Sequence, residues 1–353
     1  METQALLADY RRSITSCANA FFSRWRKEAV KAGKMPIDMV EKFAAVFLKG
    51  KLLRGALVVL GYNLAGGTKQ EDILKASLAV ELLHTSFLIA DDVFDNDDTR
   101  RGEPSLHKQW GKQYSSGVNS EHLGKSLAFD TTIVGLLLAP LALENTSFSN
   151  KVKQQALFYY FRKGVETGWG EGLDIVSPSE SLKNKRKAFQ VIHDYKTVEY
   201  SGVLPLHFGA LLAGKTEKEW LTALDEYGRN LGRIFQIKDD IIGSFGNSQI
   251  TGKANDGDIK QARWTVLMEL LFEKMNEKET EKVSNILGKQ KVSDKDISYI
   301  KSLMQQYSTV PKAREKAQEF LTLGLACVPT VTQDPAHQDT LKNILYFMLE
   351  REK

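Results

Sequence analysis

The 353 residues are 42% hydrophobic and 26% charged, with 8 prolines and 2 cysteines, a composition that suits one large globular domain or two ordinary ones. A net charge of +4, from 48 Lys+Arg against 44 Asp+Glu, is too small to imply nucleic acid or a membrane surface as partner, so charge has to be read locally. Cys17 and Cys327 lie far apart without a CxxC spacing, which fits idle thiols of a reducing compartment.

In chain order, METQALLADYRRS carries charges where a secretory signal needs an apolar stretch, so no signal is expected and the cytoplasm is the expected location. Apolar residues then recur at three-to-four spacing near 4–32, 37–63, 70–95, 125–143, 151–172, 186–213, 217–243, 260–287, 293–307 and 311–328, each predicting a helix. Turn-like clusters separate them: AGGT at 65–68, SSGVNSEHLG at 115–124, ENTSFSN at 144–150, SPSES at 177–181 and GNSQITGKAND at 246–256. IVGLLLAPLAL, residues 133–143, falls well short of the roughly 20 residues of a membrane span and predicts a buried helix. ASLAVELLHTSFLIA and GRNLGRIFQIKDDII are apolar on most sides, as helices surrounded by other helices are. With no composition shift, no short repeat and almost no strand alternation, the expectation is one all-α domain over residues 1–353 with about ten or more helices.

Both of those apolar helices run into paired acids. In DDVFDNDDTRRG, Asp91 and Asp95 sit four apart and share a helix face, while Asp92 lies about 100° around. Stacked carboxylates repel unless a cation joins them, and hard oxygen ligands suit Mg²⁺ bridging to substrate phosphates. A solvated acidic helix end is the other reading of the same residues. FQIKDDIIG repeats the arrangement with Asp239 and Asp240. Two such ends could face one another across a cavity walled by apolar helices, which would suit an amphiphile with a phosphorylated head and a hydrocarbon tail.

At this point the chain resembles the trans-isoprenyl diphosphate synthases (polyprenyl synthetases), the group of the farnesyl and geranylgeranyl diphosphate synthases. The resemblance is carried by GKLLRG (50–55), the histidine of ELLHTSFLIADD, DDVFDNDDTRRG, KTVEYSGVLPLHFGALLAG (196–214), FQIKDDIIG and TGKANDGDIKQARWT (251–265), in family order. It implies an isoprenoid synthase-like helical bundle around a central cavity, homodimeric, using three Mg²⁺ ions per active site. It also implies condensation of isopentenyl diphosphate (IPP) with an allylic diphosphate, dimethylallyl, geranyl or farnesyl. Asp91, Asp95 and Asp239 would ligate Mg²⁺, assisted by Asp92 and Asp240. Gly50, Lys51, Arg54, His84 and Arg101 would hold the IPP diphosphate, where forked guanidinium and ammonium groups replace metals. Arg100, Lys196, Lys253 and Arg263 would hold the allylic diphosphate, Arg263 standing where a lysine is expected. Thr197 and Gln236 would steady the allylic cation. Asp97 and Asp98 are expected to be solvated, and Lys238 is not assigned to the site, a solvated lysine being its other reading.

The chain departs from the family pattern at four further places. Gly243 stands where many members carry the last aspartate of the second motif, so Asp239 has no partner four residues on. Glu171 replaces glutamine in GEGLD, adding a negative charge that would raise its own pKa or recruit a cation. Phe129 replaces glycine in AFD, and the terminal MLEREK is only partly basic. For product length, Ser86 and Phe87, five and four residues before Asp91, point about 100° apart. A small Ser86 opens one side, Phe87 narrows the other, and Leu83 or Phe129 could move the floor; the expected product is C15 to C20, leaning to C20. A terpene cyclase would have no need of Lys51, Arg54, His84 and Arg101. A non-catalytic subunit of a heteromer would not need the intact aspartates.

Overall fold

The structure is a computed structural model and describes residues 2–115, 119–246, 256–289 and 291–351. It is helical almost throughout, with one two-stranded hairpin among the described residues. Two compact units can be distinguished: the chain up to Phe161 with Leu204–Leu221, and Arg162–Val203 with Thr222 onward.

In the first unit α1 is Glu2–Val30, α2 Lys34–Leu48, α3 Leu53–Leu64, α4 Gln70–Phe94, α5 Leu106–Gln113 and α6 Ser120–Leu141; α7, Asn150–Val176, starts here, and α9 is Leu204–Leu212. The single helix expected over 37–63 is two, because the chain turns at Gly50–Leu52 with Leu52 in the left-handed region at φ 54°. α4 is the centre of this unit: Ala76 to Leu83 are buried without a break, and α1, α2, α3, α5, α6 and α9 pack on it. α6 can approach α4 closely because a Cβ on Gly135 would overlap the Phe43 ring and the Ser86 hydroxyl. The hairpin pairs β1, Thr99–Arg100, with β2, Glu103–Pro104, antiparallel, just past the end of α4.

The second unit holds α8, Leu182–His193, a π-helical segment at Asp194–Val203, and α10, Lys218–Phe245. The continuous helix predicted over 186–213 is therefore α8, the π-helical segment and α9. Short helices α11 (Gly257–Lys260), α12 (Val266–Phe272) and α13 (Glu277–Leu287) replace the one predicted over 260–287. Thr265 and Asn276 explain the interruptions, since each caps the following helix by accepting the N–H of Met268 and Glu279 respectively. α14 (Asp294–Gln306), α15 (Thr309–Val331) and α16 (Pro335–Glu350) complete the unit. Its core gathers Ile237, Ile241, Trp264, Leu271, Ile300 and Ala317.

Candidate active site

The acidic end of α4 is fixed by its apolar body, which places Asp91 and Asp92 in the last helical turn and Asp95 at the C-cap. A helix C-terminus does not favour carboxylates, because its carbonyl dipoles are negative too, so the cluster needs cations. Arg100 supplies one. The hairpin returns it so that Nε donates to Asp92 Oδ1 at 2.6 Å and Nη2 to Asp91 Oδ2 at 3.0 Å, with Asp97 at 3.8 Å. Burial pulls the Arg100 pKa down, but Asp92, Asp91 and Asp97 outweigh it and hold it above its ordinary value. Asp98, expected to be solvated, is largely exposed and pairs with Lys108 at 2.9 Å.

Next to these acids lies a cationic group. Arg54 is buried in the first turn of α3, and Arg101, at φ 53°, donates to the Val46 carbonyl at 3.1 Å. A Cβ on Gly50 would stand 2.9 Å from the Phe47 carbonyl and 3.4 Å from Arg101 Nη1, so the turn is tight there. His84, two turns before Asp91, is held well below its ordinary pKa by burial and by Arg54, Arg101 and Arg100, and is neutral at pH 7. Lys51 is exposed in the turn before α3.

Sequence reasoning missed Glu81, three residues before His84. It is buried and accepts the Gly55 N–H at 2.7 Å, tying the start of α3 to α4. Burial raises its pKa while Arg54 opposes the rise. Only the three-dimensional neighbourhood marks it, since an interior glutamate on a helix has no local signature.

The second acidic motif lies on α10. Asp240 is buried and accepts Val266 N–H at 2.8 Å and Gln236 Nε2 at 2.7 Å. Burial, with Asp239 and Asp174 nearby, pushes its pKa up to about 7 despite those two donors. In the metal-free protein this raised pKa has a defined sign. The folded state binds the proton more tightly than the unfolded chain, so stability is lost as pH rises from about 4 to about 7. Thermal unfolding in chelator should show that slope, and Asp240→Asn should flatten it; an unchanged slope would exclude Asp240 as its source.

Asp239 is 45% exposed and ion-paired with Arg351, which also donates to the Phe235 carbonyl at 3.1 Å and lies 3.9 Å over the Phe235 ring. The partly basic MLEREK gives no sign of this anchor in sequence, because the contact spans more than a hundred residues. Gly243 leaves room used by another acid: a Cβ there would be 2.6 Å from Asp258 Oδ2. Asp258 also stands 3.7 Å from Arg263. Lys196 and Thr197 sit in the π-helical segment. Lys196 Nζ reaches Asp174 at 2.6 Å and Glu171 at 3.1 Å, so Lys196 is the cation that Glu171 recruits. Lys253 lies outside the described residues.

The product-length candidates fall in different settings. Ser86 is fully buried, back-bonded to the Leu82 carbonyl at 2.9 Å and pressed against Gly135, while Leu83 is buried and Phe87 half-buried. Phe129 is partly exposed, its ring 5.4 Å from that of Phe94.

The donor chemistry fits Mg²⁺. Asp91 and Asp95 offer hard carboxylate oxygens at the end of α4, and Asp239, within α10 of the other unit, offers a further one. Among the described residues no group of three or more Asp, Glu, His or Cys stands ready to enclose an ion by itself. Carboxylates of this kind suit a cation that keeps waters and takes its remaining oxygens from substrate phosphates.

Comparison with known proteins agrees with this arrangement. The polyprenyl synthetase family matches residues 38–304. The short chain isoprenyl diphosphate synthase of Methanothermobacter thermautotrophicus is 26% identical, covering 86% of this chain and 87% of its own. The geranylgeranyl diphosphate synthase of Saccharolobus solfataricus is 27% identical, with coverage of 86% and 87%. The geranylgeranyl pyrophosphate synthase of Corynebacterium glutamicum, solved with isoprenyl diphosphate and magnesium, superposes with a TM-score of 0.89 at 25% identity, over 98% of this chain and 99% of that one. With both aspartate motifs and the cationic turn inside the matched span, the chain belongs to the polyprenyl synthetase family.

Proposed function

We propose that the protein condenses IPP with an allylic diphosphate to give a short all-trans prenyl diphosphate, C15 to C20 with C20 favoured. The observation that carries this is the cationic pair of Arg54 and Arg101, with His84 in electrostatic reach of both, beside the α4 acids. A diphosphate bound there would be held by protein donors, and a second, metal-bridged diphosphate by the carboxylates. A chain that only ionises one prenyl diphosphate needs no such second anion site.

Asp91, Asp95 and Asp239 would hold Mg²⁺, assisted by Asp92 and by Asp240, which is itself held by Gln236 and Val266. Bound there, Mg²⁺ supplies charge neutralisation on the departing diphosphate. Arg100, Lys196, Lys253 and Arg263 grip the allylic diphosphate and place its C–O bond. Thr197 and Gln236 direct oxygen dipoles toward the allylic carbon as positive charge grows. Gly50, Lys51, Arg54, His84 and Arg101 fix the IPP head, so that its double bond attacks that carbon; the proton then lost passes to the leaving diphosphate.

We take residues 1–353 as one synthase domain acting in the cytoplasm. α4 and α6 are long and apolar enough to cross a membrane by length and composition; 72% of the most apolar window of α4 is buried, which suits a core helix. On α6, Phe129, Ile133, Leu137 and Leu141 recur every four residues as an exposed apolar row, with Leu137 64% exposed. That row supports a homodimer, a second copy being the partner that covers it.

With purified protein, Mg²⁺, IPP and allylic diphosphates of increasing length, prenyl diphosphates longer than the primer are expected; an IPP-independent hydrocarbon would contradict the proposal. Product length is expected to respond to Phe87 more than to Ser86. Phe87→Ala should lengthen the product, whereas Ser86→Phe has no space against Gly135 and Phe43 and should cost about 1–3 kcal/mol of stability. Product chromatography and thermal unfolding read the two effects separately. A stable Ser86→Phe protein with shortened products would show that the serine faces the prenyl tail.

A further inference from the structure

Lys196 and Thr197 lie in a π-helical segment, a rare conformation that survives where neighbours hold it. What holds this one is unusually specific. α10 reads YGRNLGRIFQ, with two Gly-Arg steps four residues apart and therefore on one face. The glycines let the two backbones touch: a Cβ on Gly232 would stand 3.0 Å from the Val198 Cα, and one on Gly228 would stand 2.9 Å from the Gly202 carbonyl. On the α7 side, a Cβ on Gly170 would overlap the Lys196 backbone nitrogen.

The arginines beside those glycines make the ionic half of the clamp. Arg233 meets Asp194 at 3.4 Å, at the start of the segment. Arg229 Nε donates to Glu199 Oε1 at 2.8 Å, and the other oxygen, Oε2, accepts Lys163 Nζ of α7 at 2.6 Å. Lys163 also reaches Glu166 at 2.8 Å. Glu199 is buried, so each of its oxygens is satisfied by a charged donor from a different helix. Burial alone would lift its carboxyl pKa, but Lys163 and Arg229 hold it below the ordinary value, leaving it ionised.

We propose that Glu199 is a positioning residue of the allylic site: bridged between Lys163 of α7 and Arg229 of α10, it fixes the π-helical register that presents Lys196 and Thr197. The proposal rests on the assignment of those two residues to the allylic substrate. Glu199 touches neither substrate nor reacting atoms, and acts only through the backbone that carries them.

Glu199→Gln keeps the shape but removes the charge that both cations need. Hydrogen exchange in the 194–203 segment is expected to speed up relative to α4. With the allylic diphosphate saturating, kcat should fall on the order of 10–100-fold, the scale of a small misplacement of catalytic groups, while the KM for IPP stays unchanged. Arg229→Gln, which keeps the Lys163 arm, should fold well and show the same pattern more weakly, and Arg229→Lys should recover most of the loss. Wild-type exchange in folded Glu199→Gln protein would overturn the proposal. So would a loss that falls equally on both substrates, in step with a lowered Tm. Exchange is read without turnover, so a wild-type protein inert toward IPP would fault the proposed activity, and the clamp would still be decided by the exchange rates.

Discussion

Asp91→Ala is expected to lower elongation by about 10²–10³-fold or more, the scale on which losing one group that stabilises transition-state charge acts. The fold should survive. The α4 body stays packed, Asp91 is a partly exposed end residue, and Arg100 keeps its 2.6 Å bond to Asp92. Loss is therefore expected in turnover and in Mg²⁺-dependent binding of an unreactive allylic diphosphate analogue, with little change in Tm. Unaffected elongation would remove Asp91 from the metal site. The Arg100 bridge adds a second consequence. In the absence of metal, Asp91 is already paired, so an ion that takes Asp91 must displace or share that guanidinium, and apparent Mg²⁺ affinity should rise in Arg100→Gln even as its turnover falls.

Arg54→Ala separates condensation from simple ionisation. Arg54 is buried at the first turn of α3, with Glu81 beside it and His84 and Arg101 in electrostatic reach. Hydrogen bonds to charged groups are worth about 1.5–3 kcal/mol each, so removing this donor should raise the KM for IPP roughly 10–100-fold. The KM for the allylic diphosphate should hardly move. Glu81 would be left without its main counter-charge, but its pKa is already raised by burial, so it can take a proton. Equal losses for both substrates would place Arg54 in the fold alone.

α4 was legible almost to the residue, 70–95 expected against Gln70–Phe94, because an all-round apolar helix ending in acids has few alternatives. The break at Gly50–Leu52 was not. No proline or clustered turn residue marks it, and the left-handed position falls on Leu52, which sequence rules assign to regular structure. The π-helical segment was hidden for a related reason: KTVEYSGVLPL keeps an apolar rhythm that one helix or three pieces satisfy equally. α16 and α5 were missed, the latter only Leu106–Gln113. At the site, residues with a motif could be named in advance. Those acting through distant partners could not, among them Glu81 to Gly55, Arg351 to Asp239, Asp258 at Gly243 and Glu199 to Lys163. Ser86 shows the same limit. Its small size reads as an opening for substrate, and the structure adds a packing contact to Gly135 of α6 that the sequence does not show.

On the proposed reading, two diphosphates meet on this chain and a carbon–carbon bond joins them. Mass analysis of the product formed from ¹³C-labelled IPP and unlabelled geranyl diphosphate in Mg²⁺ is the decisive measurement. A prenyl diphosphate one or two labelled C5 units longer than the primer is the predicted result. Recovery of unextended primer, or of an unlabelled hydrocarbon, would contradict it.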